Sequence, residues 1–402
     1  MSGVVTLATC VTGERAAPEL LGGSRYYQST MSVRDLIIIG AGPSGLSAAI
    51  AAKQRGLDYQ VLEQGVLVNS IFHFPPQMVF FTTPELLEIG GLPFVSPYDK
   101  PTRAEALKYY RKVVDTYDLP VAFEETVVSI DKEGGDEGAG GGERPVFAVE
   151  TRSSRPSTLR EPQGRFEAVE GRGVRRVRRA HHVVIAIGYY DHPVLLGVPG
   201  EDLPHVRHYY GEAHSHYRQR VVIVGGGNSA AESALELFRA GAHVTLVHRG
   251  AALKSTIKYW VRPDIENRIT EGSIAARFNT HLVEIRQTSV VLRSGGAKGD
   301  AGFQPRDGDE EVPADSVYLL TGYRADADLM VRAGVVLNDR QAPTLDPETF
   351  ETNVPGLFVA GGATAGVDTG TIFIENGRFH GEKIVEVIAR RMDWTAALVR
   401  EA

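Results

Sequence analysis

The chain alternates between short, wholly apolar runs and longer stretches of mixed polarity. "LIIIG" (Leu36 to Gly40) is followed by the helix-like "SGLSAAIAAKQRG" and then by a second short apolar run, "YQVLEQG". Brief apolar runs bounded by glycine predict buried strands, and the stretch between them predicts a crossover helix. The same order recurs in "RVVIVGGGNSAAESALELFRAGAHVTLVHRG" (Arg220 to Gly250). Two more apolar runs, in "HHVVIAIGYYDHP" and "DSVYLLTGYRAD", each end in a Gly-Tyr turn, at Gly188 and Gly322. "TNVPGLFVAGGATAGVDTGTIFIENGRFHGEKIVEVIARR" predicts a strand, a glycine turn and a C-terminal helix. Between the repeated units, "VFAVETR", "RFEAVEG" and "HHVVIAIG" predict a β-meander. "KEGGDEGAGGGERP" (Lys132 to Pro145) and "SGGAKGDAGFQPRDGDEE" (Ser294 to Glu311) predict exposed loops without chemistry. The fold class is α/β, with two Rossmann-like units.

The two units carry nucleotide chemistry. Gly40, Gly42 and Gly45 form G-x-G-x-x-G between strand and helix, with Pro43 and Ser44 inside it. Such glycines permit a tight turn and close backbone approach to a pyrophosphate, and the helix N-terminus supplies N–H donors. The second strand ends in Glu63, followed by Gln64, and a carboxylate there accepts hydrogen bonds from ribose hydroxyls. The second unit has Gly225, Gly227 and Ala230 around Asn228 and Ser229, and its strand ends in His248 and Arg249. A cation at that place favours a 2′-phosphate, hence NADPH. Two dinucleotide folds in one chain imply FAD at the first and NADPH at the second.

Composition narrows the class. A net charge of −7 argues against a broad nucleic-acid surface. The basic run "GRGVRRVRRAHH" (Gly171 to His182) reads as a solvated turn leading into the strand "VVIAIG". No apolar run reaches the length of a membrane span, and the N-terminus lacks the basic region of a signal peptide. Residues 1–32 are expected to be a disordered tail, with Met31 an alternative start. Cys10 is the single cysteine and falls in that tail, so neither an intramolecular disulfide nor a cysteine zinc site is available. A cytoplasmic enzyme without metal is the expectation.

These marks, in this order, resemble the low-molecular-weight thioredoxin reductase type of two-dinucleotide-binding flavoprotein. "VLVNSIFHFPPQMVFFTTPELLEIGGLPF", "HPVLLGVPGEDLPHVRHYYGEAHSHY" and "TIFIENGRFHG" resemble the YpdA-type branch, the bacillithiol-disulfide reductases. The resemblance implies a discontinuous FAD domain (33–192 and 324–402), with the meander inserted in it, interrupted by an NADPH domain (193–323). It implies that Gly40, Gly42, Ser44 and Gly45 hold the FAD pyrophosphate and Glu63 the ribose. Val127 or Val128 would meet adenine, and Gly362, Ile372 and Phe373 would lie near the flavin. Gly225, Gly227, Asn228, Ser229 and Ala230 would hold the NADPH pyrophosphate, with Arg249, or else Lys254, on the 2′-phosphate. A homodimer, and rotation of the NADPH domain about hinges at 188–193 and 322–326, are implied too.

Two departures from the pattern carry consequences. The Cys-x-x-Cys of a thioredoxin reductase is replaced by "HYYGEAHSHYRQR", and the Gly-Asp of the C-terminal flavin motif by Gly362 and Ala363. Relatives of the YpdA type commonly place cysteine where Ser44 stands. A hydroxyl is not redox-active, so Ser44 is expected to hydrogen-bond the FAD phosphate. His205, His208, His214 and His216 crowd one segment beside Tyr209, Tyr210 and Tyr217. They read either as packed linker or as a source of an acid, with His214 and His73 the catalytic candidates. "FHFPPQMVFFTTPE" (Phe72 to Glu85) reads equally as flavin cover or as core. The acceptor expected from the resemblance is a small thiol disulfide such as bacillithiol disulfide. A cysteine-independent NADPH diaphorase or ferredoxin-NADP reductase, a flavin monooxygenase ("YYGEAHSHY" is one residue short of that group's spacing) and a non-turnover redox-sensing binding protein are the alternatives.

Overall fold

A computed structural model of the chain describes residues 32–133, 145–153, 174–295 and 304–401. The N-terminal tail with Cys10, the segment "RFEAVEG" and most of the first low-complexity stretch lie outside the described residues.

The first part of the chain gives strands β1 (Val33–Ile39), β2 (Tyr59–Leu62), β3 (Val121–Ala122), β4 (Glu125–Glu133), β5 (Val146–Ser153) and β6 (Arg175–Ile185), with helices α1 (Pro43–Gln54), α2 (Asn69–Phe72) and α3 (Arg103–Tyr117). The middle gives β7 (Val206–Arg207), β8 (Arg220–Val224), α4 (Asn228–Arg239), β9 (His243–Val247), α5 (Arg262–Thr270), β10 (Ala275–Arg277), β11 (Thr280–Ile285), β12 (Ser289–Ser294), β13 (Glu310–Pro313) and β14 (Ser316–Leu319). The last part gives α6 (Ala327–Arg332), β15 (Leu357–Val359), α7 (Ile374–Gly377) and α8 (His380–Glu401).

Three sheets result. The order β3-β2-β1-β6-β5-β4, with β15 also on β6, joins the two ends of the chain in one sheet. A second sheet runs β10-β9-β8-β14-β7, and β11-β12-β13 form a third. The fold is therefore two Rossmann-like units, the first discontinuous and carrying the antiparallel β4-β5-β6 meander.

Both central strands are buried on both faces, as their continuous apolar runs require. Leu36 and Ile38 pack with α1 and with Ile384, Val385 and Ile388 of α8, while Ile37 and Ile39 face Leu329, Met330 and Leu357. In the second unit Val221 and Ile223 pack under α4, and Val222 and Val224 face β11 and β12. Helix α1 is wholly buried from Gly45 to Ala52, which explains its small side chains.

One expectation is corrected here. The basic run is not a solvated turn: from Arg175 it is already strand β6. Its arginines are paired across the meander. Arg175 meets Glu150, Arg176 and Arg178 meet Glu125, and Arg179 meets Glu133. Glu125 is 4% exposed, so its two arginines compensate a buried charge.

Candidate active site

The first glycine turn is built by close packing. Gly40 has φ +105°, and a Cβ there would lie 2.5 Å from the Ala186 carbonyl oxygen. A Cβ on Gly45 would collide with the Gly40 carbonyl. Neither position admits a side chain, whereas a Cβ on Gly42 would meet nothing within 4 Å. Gly42 is the N-cap of α1, makes no side-chain cap, and is followed by Pro43. The helix thus presents uncapped N–H groups to open space, the arrangement that accepts a phosphate.

The second turn repeats the design. A Cβ on Gly225 would lie 2.5 Å from the Leu320 carbonyl oxygen, while one on Gly227 would touch only Lys254 Cδ, at 4.0 Å. Gly227 caps α4, again without a side-chain hydrogen bond. Ala230 is fully buried behind the turn.

Both turns open into one cavity of about 1380 Å³. Gly40, Gly42, Pro43, Ser44, Glu63, Gln64, Gly188, Gly362, Ile372 and Phe373 are on its wall from the first unit, with Gly227, Asn228, Ser229, Lys254 and Gly322 opposite. Val127 is on the wall and Val128 is not, because β4 carries a bulge between Val127 and Ser129. Gly45, Gly225 and Ala230 lie behind it, shaping the turns, and Arg249 is exposed at the end of β9. Phe74, Met78, Phe80 and Phe81 of the aromatic segment also line the cavity.

Local chemistry fixes several of these groups. Glu63, 3% exposed, accepts from the Ala41 N–H at 2.7 Å and the Gly65 N–H at 2.9 Å, and burial raises its pKa. Gln64 Nε2 donates to Asp191 at 2.9 Å, and Asn69 Nδ2 donates to the same carboxylate at 3.3 Å. Burial raises the Asp191 pKa as well. Ser44 Oγ donates to the Gly377 carbonyl at 3.0 Å, which ties α1 to α7, and the residue is also on the cavity wall. Asn228 uses its amide to hold the following segment, donating to Thr256 O at 3.1 Å and accepting from Lys258 N at 2.9 Å. His248 packs against Gly226 and Gly250, and burial, then Lys254 and Arg249, lower its pKa.

Neither histidine candidate is itself on the cavity wall, though both adjoin it. His73 is exposed, with Nδ1 2.9 Å from the Asn69 carbonyl. His214 is exposed on an adjoining groove that shares Gln77, Glu236 and Arg239 with the cavity wall. His216, by contrast, is a satisfied core residue, 2% exposed, bonded to Tyr318 and Gln219.

Sequence reasoning missed Asp191, although it quoted the turn that holds it, and missed Asn69. It also missed His380, whose Nδ1 accepts the Gly361 N–H at 3.1 Å beneath the turn at Gly361 and Gly362. No local signal marks that contact, because the two residues meet only through the packing of α8.

The two expected segments at 188–193 and 322–326 are paired with each other. Val194 N–H donates to Gly322 O at 2.9 Å and Arg324 N–H to His192 O at 2.9 Å. Tyr190, Tyr209 and Tyr323 stack over this ladder, with Phe74 on Tyr190 at 4.8 Å. Among the described residues there is no metal-binding group, and no helix is long and apolar enough to cross a membrane.

Comparisons with known proteins agree with this geometry. The sequence profile of the family described as pyridine nucleotide-disulphide oxidoreductase matches residues 37–138 and 169–361. The bacilliredoxin reductase Bdr of Bacillus subtilis (strain 168) is 38% identical over 356 residues, 88% of this chain and 97% of that relative. The solved structure of bacillithiol disulfide reductase Bdr (YpdA) from Bacillus cereus superposes with a TM-score of 0.77 at 34% identity, covering 90% of this chain and 100% of that one. A ferredoxin–NADP reductase of Ignicoccus hospitalis is 25% identical over 332 residues, 83% of this chain and 90% of that relative. The uncapped helix ends and open space at Gly42 and Gly227 fit the two dinucleotides of this family. The chain therefore belongs to the pyridine nucleotide-disulphide oxidoreductase family and is an FAD- and NADPH-dependent oxidoreductase.

Proposed function

We propose that the protein uses NADPH to reduce a low-molecular-weight thiol disulfide of the bacillithiol disulfide class. NADPH, one proton and the disulfide give NADP⁺ and two thiols: the S–S bond breaks and each sulfur leaves with hydrogen. The observation that carries the reading is the single cavity onto which both glycine turns open, with an apolar wall from Phe74 to Phe81. The solved relatives named bacillithiol disulfide reductase suggest the acceptor class. FAD held by the first glycine turn would supply two-electron transfer between NADPH and the acceptor.

The residues have these roles in the proposal. Gly40, Gly42, Pro43, Ser44 and Gly45 shape the first pyrophosphate site, and Glu63 and Gln64 the ribose end, with Asp191 orienting Gln64. Val127 faces the adenine, and Gly188, Gly362, Ile372 and Phe373 lie along the flavin. Gly225, Gly227, Asn228, Ser229, Ala230 and Gly322 shape the NADPH site, and Arg249 and Lys254 take its 2′-phosphate. Phe74, Phe80 and Phe81 exclude water. The FAD domain spans 33–192 and 324–402, and the NADPH domain 193–323. No described residue is a cysteine, and the chain's single cysteine, Cys10, lies outside them; the proposal has the disulfide reduced without a protein thiol. A cytoplasmic homodimer completes the reading, to be checked by fractionation and light scattering; a chain with one cysteine asks for no oxidising compartment.

A cysteine-independent diaphorase, passing electrons to ferredoxin or a quinone, is the second reading, favoured by the same missing thiol and by the ferredoxin–NADP reductase relative. Steady-state NADPH oxidation separates them. Release of two thiols per NADPH from bacillithiol disulfide supports the proposal. Turnover with quinone or ferredoxin alone assigns the diaphorase, and a single stoichiometric reduction without turnover assigns a binding protein.

A further inference from the structure

We propose that Lys100, Lys258 and Trp260 recognise the acceptor, seating an anionic carboxylate group of the disulfide at the edge of the shared cavity. The inference rests on the disulfide-reductase reading above and adds to it the residues that select the substrate.

The three side chains come from both units. Lys100 lies just before α3, and Lys258 and Trp260 lie between β9 and α5. Lys100 Nζ is 4.7 Å from the Trp260 ring centroid, and Lys258 Nζ is 5.7 Å from the same centroid. Lys258 Nζ is also 4.5 Å from the Phe81 ring, and Phe81 meets Phe373 edge-on at 5.7 Å. All five line the cavity. A continuous row of contacts thus leads from the flavin-side Phe373 outward to two cations. Trp260 stays 46% exposed, so the ring is open to a ligand.

The charge imbalance is local to Lys100, since the wall as a whole, with Glu63, Glu125, Asp191, Glu236 and Glu375 also on it, carries more carboxylates than cations. Two ammonium groups around one ring are no more than about 10 Å apart, close to the screening length of about 10 Å at 0.1 M salt, so their repulsion is modest and depends on salt. Lys258 has one counter-ion, Glu232 Oε1 at 2.8 Å. Lys100 has no ionic partner among the described residues, and its ring contact is a weak hold at an exposed site. The acids Asp264, Asp326 and Asp368 on the same wall are engaged elsewhere, by Arg239, by the Leu329 N–H and by Arg340. A carboxylate placed between the two lysines relieves the repulsion and gains charge-assisted hydrogen bonds. Lys258 is held for this by its main chain, fixed to Asn228 Oδ1.

The NADPH phosphates have other cations, Arg249 and Lys254, on the second unit. Lys100 belongs to the first unit and reaches Trp260 across the cavity. That bridging position favours a ligand between the units over the nucleotide.

Three disulfides of different charge test the assignment: glutathione disulfide (anionic), hydroxyethyl disulfide (neutral) and cystamine (cationic). The wild type should prefer them in that order, with the anionic preference shrinking as salt rises. The double variant Lys100→Ala/Lys258→Gln should lose about tenfold in kcat/KM for glutathione disulfide, through KM, as expected for lost charged contacts. Its values for hydroxyethyl disulfide and its KM for NADPH should stay within about twofold, and Lys258→Arg should retain the preference. A tenfold rise in the NADPH KM, with all acceptors falling together, overturns the inference and gives the lysines to the nucleotide. Equal loss for neutral and anionic disulfides, or no loss at all, also overturns it. If the wild type reduces none of the three and not bacillithiol disulfide either, while turning over a quinone, the disulfide reading itself has failed; turnover of bacillithiol disulfide alone, unchanged in the double variant, overturns the inference and leaves that reading standing.

Discussion

His380 is the strongest case for a pH-dependent element beneath the cavity wall. Its Nδ1 accepts the Gly361 N–H at 3.1 Å, so the imidazole must be neutral at that nitrogen. Burial, then Lys383, lower its pKa from 6.5 to about 4, and the ring stacks on Phe350 at 4.1 Å. Between those two values the unfolded chain binds the proton and the folded chain does not. Stability is therefore full above pH 6.5 and is lost as pH falls towards 4. At about 1.4 kcal/mol per unit, the cost is about 1.4 kcal/mol at pH 5.5 and about 3 kcal/mol by pH 4. Protonation also releases the turn at Gly361 and Gly362, both on the cavity wall, so FAD should dissociate faster on the acid side. Urea unfolding at pH 7.5 and 5.5, for the wild type and His380→Gln, measures this. Glutamine offers an oxygen acceptor but does not titrate, and every other group cancels in the comparison. The stability gap between the two proteins should narrow by about 1.4 kcal/mol from pH 7.5 to 5.5. A gap independent of pH would refute the reasoning.

Other outcomes follow from the same geometry. Gly225→Ala should cost roughly 1–3 kcal/mol in thermal or urea unfolding, because its Cβ meets the Leu320 carbonyl at 2.5 Å. Gly227→Ala should leave stability almost unchanged but raise the NADPH KM about tenfold, since its Cβ points into open space at the nucleotide turn. Lys254→Ala and Arg249→Ala should each lower the NADPH-over-NADH ratio of kcat/KM, while leaving NADH turnover alone. His73→Ala and His214→Ala should keep kcat within about twofold, as both are exposed and neither is on the cavity wall; a hundredfold loss in either would restore a catalytic role. A covalent crosslink at the Gln77–Glu236 contact, now a 3.0 Å hydrogen bond between the units, should leave NADPH reduction of the flavin intact, because both glycine turns already share one cavity. Abolished reduction would mean that the units must rotate first.

Local pattern made the two Rossmann units legible because strand burial, glycine packing and helix entry are all encoded within one short stretch. Gly40 and Gly45 are needed by contacts to their own turn and to Ala186, and that need is readable. What was hidden depends on distant pairings. The arginines of β6 look like a solvated run until Glu125, Glu133 and Glu150 are placed opposite them on β4 and β5. The contact of Ser44 with Gly377, from the other end of the chain, is likewise invisible in the glycine motif that holds Ser44. His73 and His214 gained interest from residue type alone, and the fold turns both to the exterior. Lys100 and Trp260 are separated by most of the intervening unit, so no periodicity announces their contact.

The central claim is that electrons pass from NADPH through the flavin to a disulfide with no protein thiol between. Anaerobic stopped-flow absorbance measures it directly: the FAD-loaded protein is bleached with one equivalent of NADPH and mixed with bacillithiol disulfide. The account predicts that the oxidised flavin spectrum returns at a rate that rises with disulfide concentration, in the Cys10→Ser variant as in the wild type. Reoxidation by quinone or ferredoxin but not by the disulfide, or disulfide reactivity that disappears with Cys10, would contradict it.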